Sequence, residues 1–427
     1  MEIVLFGLIF LLFALFGTPL FVIIGAIALL SFYQADIDSS AIIISLYRLA
    51  NAPALLAIPL FTFAGYILSE SKAPQRLVNL SHALFGWMPG GLAIVALVSC
   101  AIFTAFTGAS GVTIIALGGL LLPSLLSDQY PENFSLGLLT SSGNLGMLFP
   151  PSLPIILYGL VAQISIDKLF FAGVIPGMLM LILLATYSVF IGKRAEVPAT
   201  PFSWGRLKTA LKETRWEVPL PILVIGGIYG GFFTVTEAAA ITAVYALVVE
   251  SVILRDLHIF KDVPRIMRES MLLVGGILVI LGCALGLTNY LIDAEIPMKI
   301  LAFMQQYVTS KIWFLVMLNL FLLVVGCMID IFSAIIVVVP LIVPVALSFG
   351  IDPVHLGIIF LANLGIGYST PPVGINLFIA SFRFERPVVK LYLAAIPFLL
   401  ILLISLALIT YIPDLSLWLV NLTGNSP

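Results

Sequence analysis

A chain of 427 residues that is 61% hydrophobic and 9% charged, with a mean hydropathy of +1.20, does not read as a soluble domain, since such domains carry roughly 25% charge. Its net charge is −2 and it has no long basic block, which argues against nucleic acid as a partner. Apolar runs of about 18 residues or more recur from end to end, each able to cross a hydrocarbon core of about 30 Å, and the alternating segments of about 10 residues that build a membrane β-barrel are missing. The sequence predicts an all-α polytopic membrane protein surrounded by lipid bilayer.

Residues 1–52 read as N-terminal scaffold helices. The opening 1-MEIVLFGLIFLL-12 lacks the basic segment and small-residue cleavage site of a secretory signal, so it is expected to stay as the first helix. Gly17-Thr18-Pro19 leaves open whether residues 1–33 cross once or twice. A first repeat is expected over 53–192. It holds a span over 53–69 ending at Lys72 and Arg76, a hairpin at about 91–126 interrupted by 107-TGASG-111, a broken span at about 133–163, and a span over 167–192. The stretch 70–90, with Lys72, Arg76 and Trp87, reads as an interfacial arm leading to that hairpin.

Residues 193–269 hold two polar loops and two central spans. The stretches 193-KRAEVPATPFSWGRLKTALKETRWE-217, 255-RDLHIFKDVPRIMRE-269 and 383-RFERPVVK-390 concentrate Lys and Arg, and the positive-inside rule assigns all three to the cytoplasm. A second repeat follows over 270–412. It has a span at 270–290, a hairpin at about 311–348 containing Gly326, Asp330, Pro340 and Pro344, a broken span at about 354–380, and a final span. The tail 413–427 carries only Asp414 and is expected to be periplasmic.

Both halves thus read span, interrupted hairpin, broken span, span, the first copy starting outside and the second inside. Re-entrant hairpins satisfy the crossing count and place the helix breakers where protein or water shields the backbone. Inverted repeats with discontinuous helices at matching places point to a secondary transporter whose site lies where the repeats meet. The two broken segments, 144-NLGMLFPPSLPIILYG-159 and 363-NLGIGYSTPPVGINLF-378, share Asn-Leu-Gly followed by a double proline. A single Pro-Pro would read as a structural kink, but the matched pair reads as a shared site in which unwound carbonyls can meet a cation.

At these residues the chain resembles the large membrane subunit of tripartite ATP-independent periplasmic (TRAP) transporters. The resemblance rests on 226-GGIYGGFFTVTEAAA-240, on 350-GIDPVHLGIIFLANLGIGYSTPPVGINLF-378 and on 149-FPPSLPIILYG-159, and covers essentially the whole chain. It implies import of an organic acid across the bacterial inner membrane, driven by a sodium (Na+) gradient. It also implies two partners, a small membrane subunit (Q type) and a periplasmic substrate-binding protein (P type), and an elevator-type motion of the hairpins and broken helices against a scaffold. The hairpin here reads 108-GASGVT-113 rather than the family's commoner Gly-Ser-Ser-x-Ala-Thr. With 141-SSGNLGMLFPPS-152 it is more similar to the sialic-acid branch than to the C4-dicarboxylate carriers.

The residues expected to meet sodium are Thr107, Gly108 and Ser110 in the first hairpin, and Ser142, Asn144 and Gly146 in the first broken helix. Asp330 in the second hairpin, and Asn363, Gly365 and Thr370 in the second broken helix, complete the set. Hydroxyls and carbonyls are the hard oxygens an alkali cation takes, and glycine lets backbone approach closely. Ser110, Ser152, Asp330 and Ser369 are the expected substrate contacts. Each has a structural alternative: a turn at 107–111, helix-packing polar bonds for the asparagines, and an N-cap for Asp330. An acid at bilayer depth costs roughly 2.5–3.5 kcal/mol, which favours a function for Asp330. Glu237 reads as structural, in a capping box with Thr234. Cys100, Cys283 and Cys327 read as small core residues, and His82, His258 and His355 as interfacial. No nucleophile–base pair or cluster of His and carboxylate ligands is seen at depth, which disfavours an intramembrane enzyme. Repeats within one chain disfavour a channel.

Overall fold

A computed structural model describes residues 18–36, 53–197, 201–296 and 310–424 continuously, with a few positions between them. The expected first crossing over 1–12 and the last residues of the tail, 425–427, lie outside the described residues. Among the described residues there is no strand.

The helices follow the hydropathy. After α1 (Leu20–Gln34) and α2 (Ala57–Glu70), the short α3 (Ala73–Phe85) carries Pro74 in its first turn, where a missing N–H costs nothing. Helices α4 (Gly91–Thr107) and α5 (Ser110–Ser127) form the first hairpin, and α5 contains a π-helical turn at Ile114–Gly118. The first broken helix is α6 (Glu132–Ser142), a 3-10 turn (Leu145–Leu148) and α7 (Leu153–Ala162), bent by 46°. Proline at 150 and 151 supplies no N–H, so the ladder cannot run through. Helix α8 (Ile166–Arg194) follows.

Helices α9 (Trp204–Glu213), α10 (Pro219–Tyr229) and α11 (Val235–Ile253) form the centre, and α12 (Asp262–Asp293) opens the second half. Helices α13 (Lys311–Met328) and α14 (Ile331–Ser348) make the second hairpin. The second broken helix is α15 (Pro353–Gly367) and α16 (Ile375–Phe384), followed by α17 (Val388–Tyr411) and α18 (Asp414–Gly424). Among the described residues seven helices are long and apolar enough to cross a membrane, or eight if the bent pair α6–α7 counts as one. Each arm of the second hairpin has 18 residues, about 27 Å of helix.

Packing exchanges elements between the halves. Helix α6 lies along α17, and α7 along α14, so the first broken helix touches the second hairpin and the last span. Helix α13 runs along α15, where Gly326 and Gly367 bring the backbones so close that a Cβ on Gly367 would lie 2.6 Å from the Gly326 carbonyl carbon. The polar loops tie together through charge: Glu70 to Arg265 at 2.7 Å, and Glu132 to Arg386 and Lys390 at 2.7 and 2.6 Å. Gly90 packs against Gly192, which puts the start of the first hairpin beside the Lys193–Arg194 end of α8. One histidine departs from expectation. His355 lies inside α15 and is 2% exposed, its Nε2 3.3 Å from the Thr410 carbonyl, because α17 and α18 cover that end of the helix.

Candidate functional site

The site grows from two interruptions. At 107–110 the α4 helix ends on Gly108 in the left-handed region (φ 67°), and the chain re-enters a helix at Ser110. Glycine is required there, since left-handed backbone disfavours a side chain. It is also required for space, because a Cβ would lie 2.6 Å from Leu153 of α7. The hairpin tip is thereby pressed onto the first broken helix and Ser110 is fully buried.

Ser110 Oγ donates to Asn376 Oδ1 at 2.8 Å, and Asn376 Nδ2 donates to Asn144 Oδ1 at 2.8 Å. Asn144 Nδ2 donates to Ser369 Oγ at 2.9 Å, and Ser369 Oγ donates to the Thr140 carbonyl at 3.4 Å. One hydrogen-bonded chain thus joins the first hairpin tip to both broken helices, with all five residues buried. Close by in sequence, the buried hydroxyls of Ser141 and Ser152 have no partner. Buried polar groups are usually satisfied, so these two oxygens are candidate ligand contacts. All the side-chain oxygens are neutral, the donor type that suits an alkali cation better than a transition metal. Among the described residues, no group of three or more His, Cys, Asp or Glu could hold a metal ion.

The expected residues divide on this geometry. Ser110, Asn144 and Ser369 come together in the network, and Gly146 lets the 3-10 turn approach α4, its Cβ position lying 2.4 Å from the Ala101 carbonyl oxygen. Thr107 is fully buried at the hairpin tip and Ser152 opens α7. Ser142 Oγ and Thr370 Oγ1 donate to carbonyls of their own helices, those of Leu139 and Ile366. Asn363 faces elsewhere. Its Nδ2 donates to Asn319 Oδ1 at 2.7 Å and to the Ile359 carbonyl at 2.8 Å, and Asn319 in turn reaches Thr410. Asn144 and Asn363 match in sequence without sharing a role, because the six residues from Asn363 to Ser369, about one and two-thirds helical turns, put the two on different faces. A Cβ on Gly365 would meet Asn144 Cβ at 3.6 Å and Met147 Sδ at 3.7 Å, ordinary contact.

Asp330 is half-buried at the second hairpin's break. Its Oδ1 accepts the N–H groups of Phe332 and Ser333, both at 3.0 Å, which makes it the N-cap of α14. The Tyr368 hydroxyl accepts the Ile331 N–H. Asn376 was not singled out by sequence reasoning, although it stands within the second broken segment. Its signal was an amide at the second residue of a helix that follows Pro-Pro-Val-Gly.

A polytopic helical protein whose two halves meet at a buried seam of neutral oxygens has the architecture of a membrane transporter rather than an enzyme. Residues 6–415 match the family described as "Tripartite ATP-independent periplasmic transporter, DctM component", and the chain belongs to that family. It is therefore the large permease component of such a transporter, a multi-pass protein of the bacterial inner membrane. It is similar to the C4-dicarboxylate TRAP transporter large permease protein DctM of Pseudomonas aeruginosa, 35% identical over 403 residues, which cover 94% of each chain. It is 34% identical over 425 residues to the isethionate TRAP transporter permease protein DctMQ of Oleidesulfovibrio alaskensis, covering 97% of this chain and 66% of that one. The sialic acid TRAP transporter large permease protein SiaM of Vibrio cholerae is 33% identical over 372 residues, covering 86% of each. In fold the chain resembles the YdaH transporter of Alcanivorax borkumensis, with a TM-score of 0.64 at 16% identity over 97% of this chain and 98% of that one.

Proposed function

We propose that this chain imports an organic acid anion together with sodium, binding both at the seam between the first hairpin and the two broken helices. The observation that carries this reading is the chain of neutral oxygens from Ser110 through Asn376 and Asn144 to Ser369, with unpartnered Ser141 and Ser152 hydroxyls in the same segments. Replacing one internal bond by an ion contact at such a site is a modest exchange, since a net intramolecular hydrogen bond contributes about 0.5–1.5 kcal/mol. The two hairpins and broken helices move together as an elevator-like body against α1, α2 and α10–α12. A periplasmic substrate-binding protein delivers the anion and a small membrane subunit buttresses the scaffold, in line with the tripartite description of the family and the two-letter name of the DctMQ relative.

The cargo is a carboxylate. The hairpin sequence 108-GASGVT-113 favours sialic acid, and the P. aeruginosa relative favours a C4-dicarboxylate. The test is uptake into proteoliposomes holding the chain with its small subunit, offered sialic acid or succinate on the binding protein, with and without an inward sodium gradient. Gradient-dependent uptake of one of the two is expected. Equal uptake without sodium, or robust saturable uptake by this chain with both partners omitted, would overturn the reading.

A further inference from the structure

Away from the seam, Arg76 of α3 is enclosed by three carboxylates drawn from distant parts of the chain. Its Nε donates to Glu217 Oε1, its Nη1 to Asp256 Oδ2 at 2.5 Å, and its Nη2 to Glu250 Oε2 at 2.9 Å and Oε1 at 3.2 Å. Glu250 is fully buried and the Glu217 and Asp256 side chains are nearly so. One buried guanidinium cannot neutralise three buried carboxylates, and isolated buried charge is costly enough that groups neutralise instead. The other charged or titratable groups facing the cluster change little. Lys72 approaches Asp256 only to 3.9 Å with its side chain 78% exposed, and the Tyr245 hydroxyl is engaged with the Trp216 carbonyl at 2.7 Å. The neighbouring faces of α4 and α10 bring only apolar side chains, Ile102, Phe103, Phe106, Leu220 and Ile222 among them, around a cavity of about 230 Å³ whose wall includes Glu217.

The oxygens distinguish the three acids. Both Glu250 oxygens accept from Arg76, and Asp256 Oδ2 also accepts the Lys72 N–H at 3.3 Å. Glu217 Oε2 is buried with no partner at all. We propose that the Arg76 cluster is a proton-binding site, with the proton carried on Glu217, and that the bound proton holds α3 to the α10–α11 pair at the base of the first hairpin. A neutral Glu217 still accepts from Arg76 through Oε1 while lowering the surplus of buried negative charge. Loss of the proton leaves three mutually repelling carboxylates and loosens α3. Burial pushes the Glu217 carboxyl upward against the lowering pull of Arg76, in the same direction. The sodium-coupled seam plays no part in this site.

The test is infrared difference spectroscopy of the full chain in lipid nanodiscs, titrated from about pH 9 to about pH 5, a window well above ordinary carboxyl values. A protonated-carboxyl band should grow in as the pH falls and be absent in Glu217→Gln. Asp256→Asn removes one negative charge, so it should lower the midpoint by about one pH unit, a tenfold loss of proton affinity. Hydrogen-exchange protection over 73–85, taken relative to the intrinsic exchange rate at each pH, should fall on the alkaline side of the same midpoint. No such band in the unmodified chain, a band retained in Glu217→Gln, or an unmoved midpoint in Asp256→Asn would each overturn the proposal, and the first and last hold even if Glu217→Gln does not fold.

Discussion

Ser110 Oγ and Asn376 Oδ1 are 2.8 Å apart across 266 residues of sequence, and that bond fastens the tip of one half's hairpin to the other half's broken helix. Asn376 passes the connection to Asn144 and Asn144 passes it to Ser369, so Asn144 is the member whose loss breaks the chain in two places. Asn144→Ala leaves the Asn376 amide and the Ser369 hydroxyl without those partners, at about 1–3 kcal/mol for a stranded buried group. The expected result is a rise of about tenfold or more in the sodium concentration for half-maximal uptake. Ser110→Ala removes one donor and should move it less. A sodium titration of uptake checks both, and unchanged half-saturation in Asn144→Ala would remove the seam from the coupling mechanism.

The two glycines of the matched Asn-Leu-Gly segments should respond in opposite ways. A methyl on Gly146 would meet the Ala101 carbonyl oxygen at 2.4 Å, Thr104 Cβ at 2.5 Å and the Ala105 nitrogen at 2.6 Å, and two of these are backbone atoms. On Gly365 the nearest atom is 3.6 Å away, ordinary contact. Gly146→Ala is expected to destabilise by about 1–3 kcal/mol, the usual effect of overpacking, and Gly365→Ala to be tolerated. Thermal unfolding in detergent compares them. Equal melting temperatures would contradict the close approach of the 3-10 turn to α4.

These cases show which parts of the molecule could be read from sequence. Helices and their breaks were legible because glycine, proline and apolar run length act locally, as at Gly108 and at Pro150-Pro151. Which side of a broken helix faces the seam was not, because it depends on how far the helix turns between Asn363 and Asn376. Asn363 carries the recognisable motif yet faces Asn319, whereas Asn376 carries none and sits in the seam. The Arg76 cluster was equally hidden, since its acids stand 141, 174 and 180 residues away, Glu217 and Asp256 in polar loops and Glu250 near the end of a span. His355 looked interfacial because it lies near a helix start, and only the packing of α17 and α18 buries it.

At the start of α11, Thr234 Oγ1 accepts the Glu237 N–H at 3.2 Å and Glu237 Oε2 accepts the Thr234 N–H at 2.8 Å, a reciprocal cap on an exposed turn. Glutamine serves this box as well as glutamate. Glu237→Gln should therefore leave uptake and melting unchanged, while Thr234→Ala should cost about 1 kcal/mol of stability. A large loss of uptake in Glu237→Gln at normal melting temperature would instead make the carboxylate functional.

Sidedness is open to direct labelling. The contacts of Glu70 with Arg265 and of Glu132 with Arg386 and Lys390 put the residues of each group at the same end of the molecule, without saying which side that is. Cysteine at Lys208 in α9 should be reached from the cytoplasm, and cysteine at Asn421 in α18 from the periplasm. Labelling of both positions by a membrane-impermeant reagent from the same side would break the inverted arrangement.

Asp330 offers the sharpest separation of structure from coupling. Its Oδ1 caps α14 through Phe332 and Ser333, and Asn presents an oxygen to the same two N–H groups. Because Asn and Asp rank together as N-caps, Asp330→Asn should melt within a few tenths of a kcal/mol of the unmodified protein, whereas Asp330→Ala should lose about 0.5–2 kcal/mol. Charge is the one property that Asn fails to reproduce. Hydrogen bonds and ion contacts to a charged oxygen are roughly twice as strong as neutral ones. If that charge meets the coupling ion when the second hairpin closes, Asp330→Asn should raise the sodium concentration for half-maximal uptake by more than Ser110→Ala does, at unchanged melting temperature. Binding of the periplasmic partner should survive, since a half-buried helix cap at a hairpin break is not part of an external surface. Sodium titrations of uptake alongside melting curves for the three variants decide the matter. A wild-type sodium response in Asp330→Asn would leave the residue as a cap and nothing more.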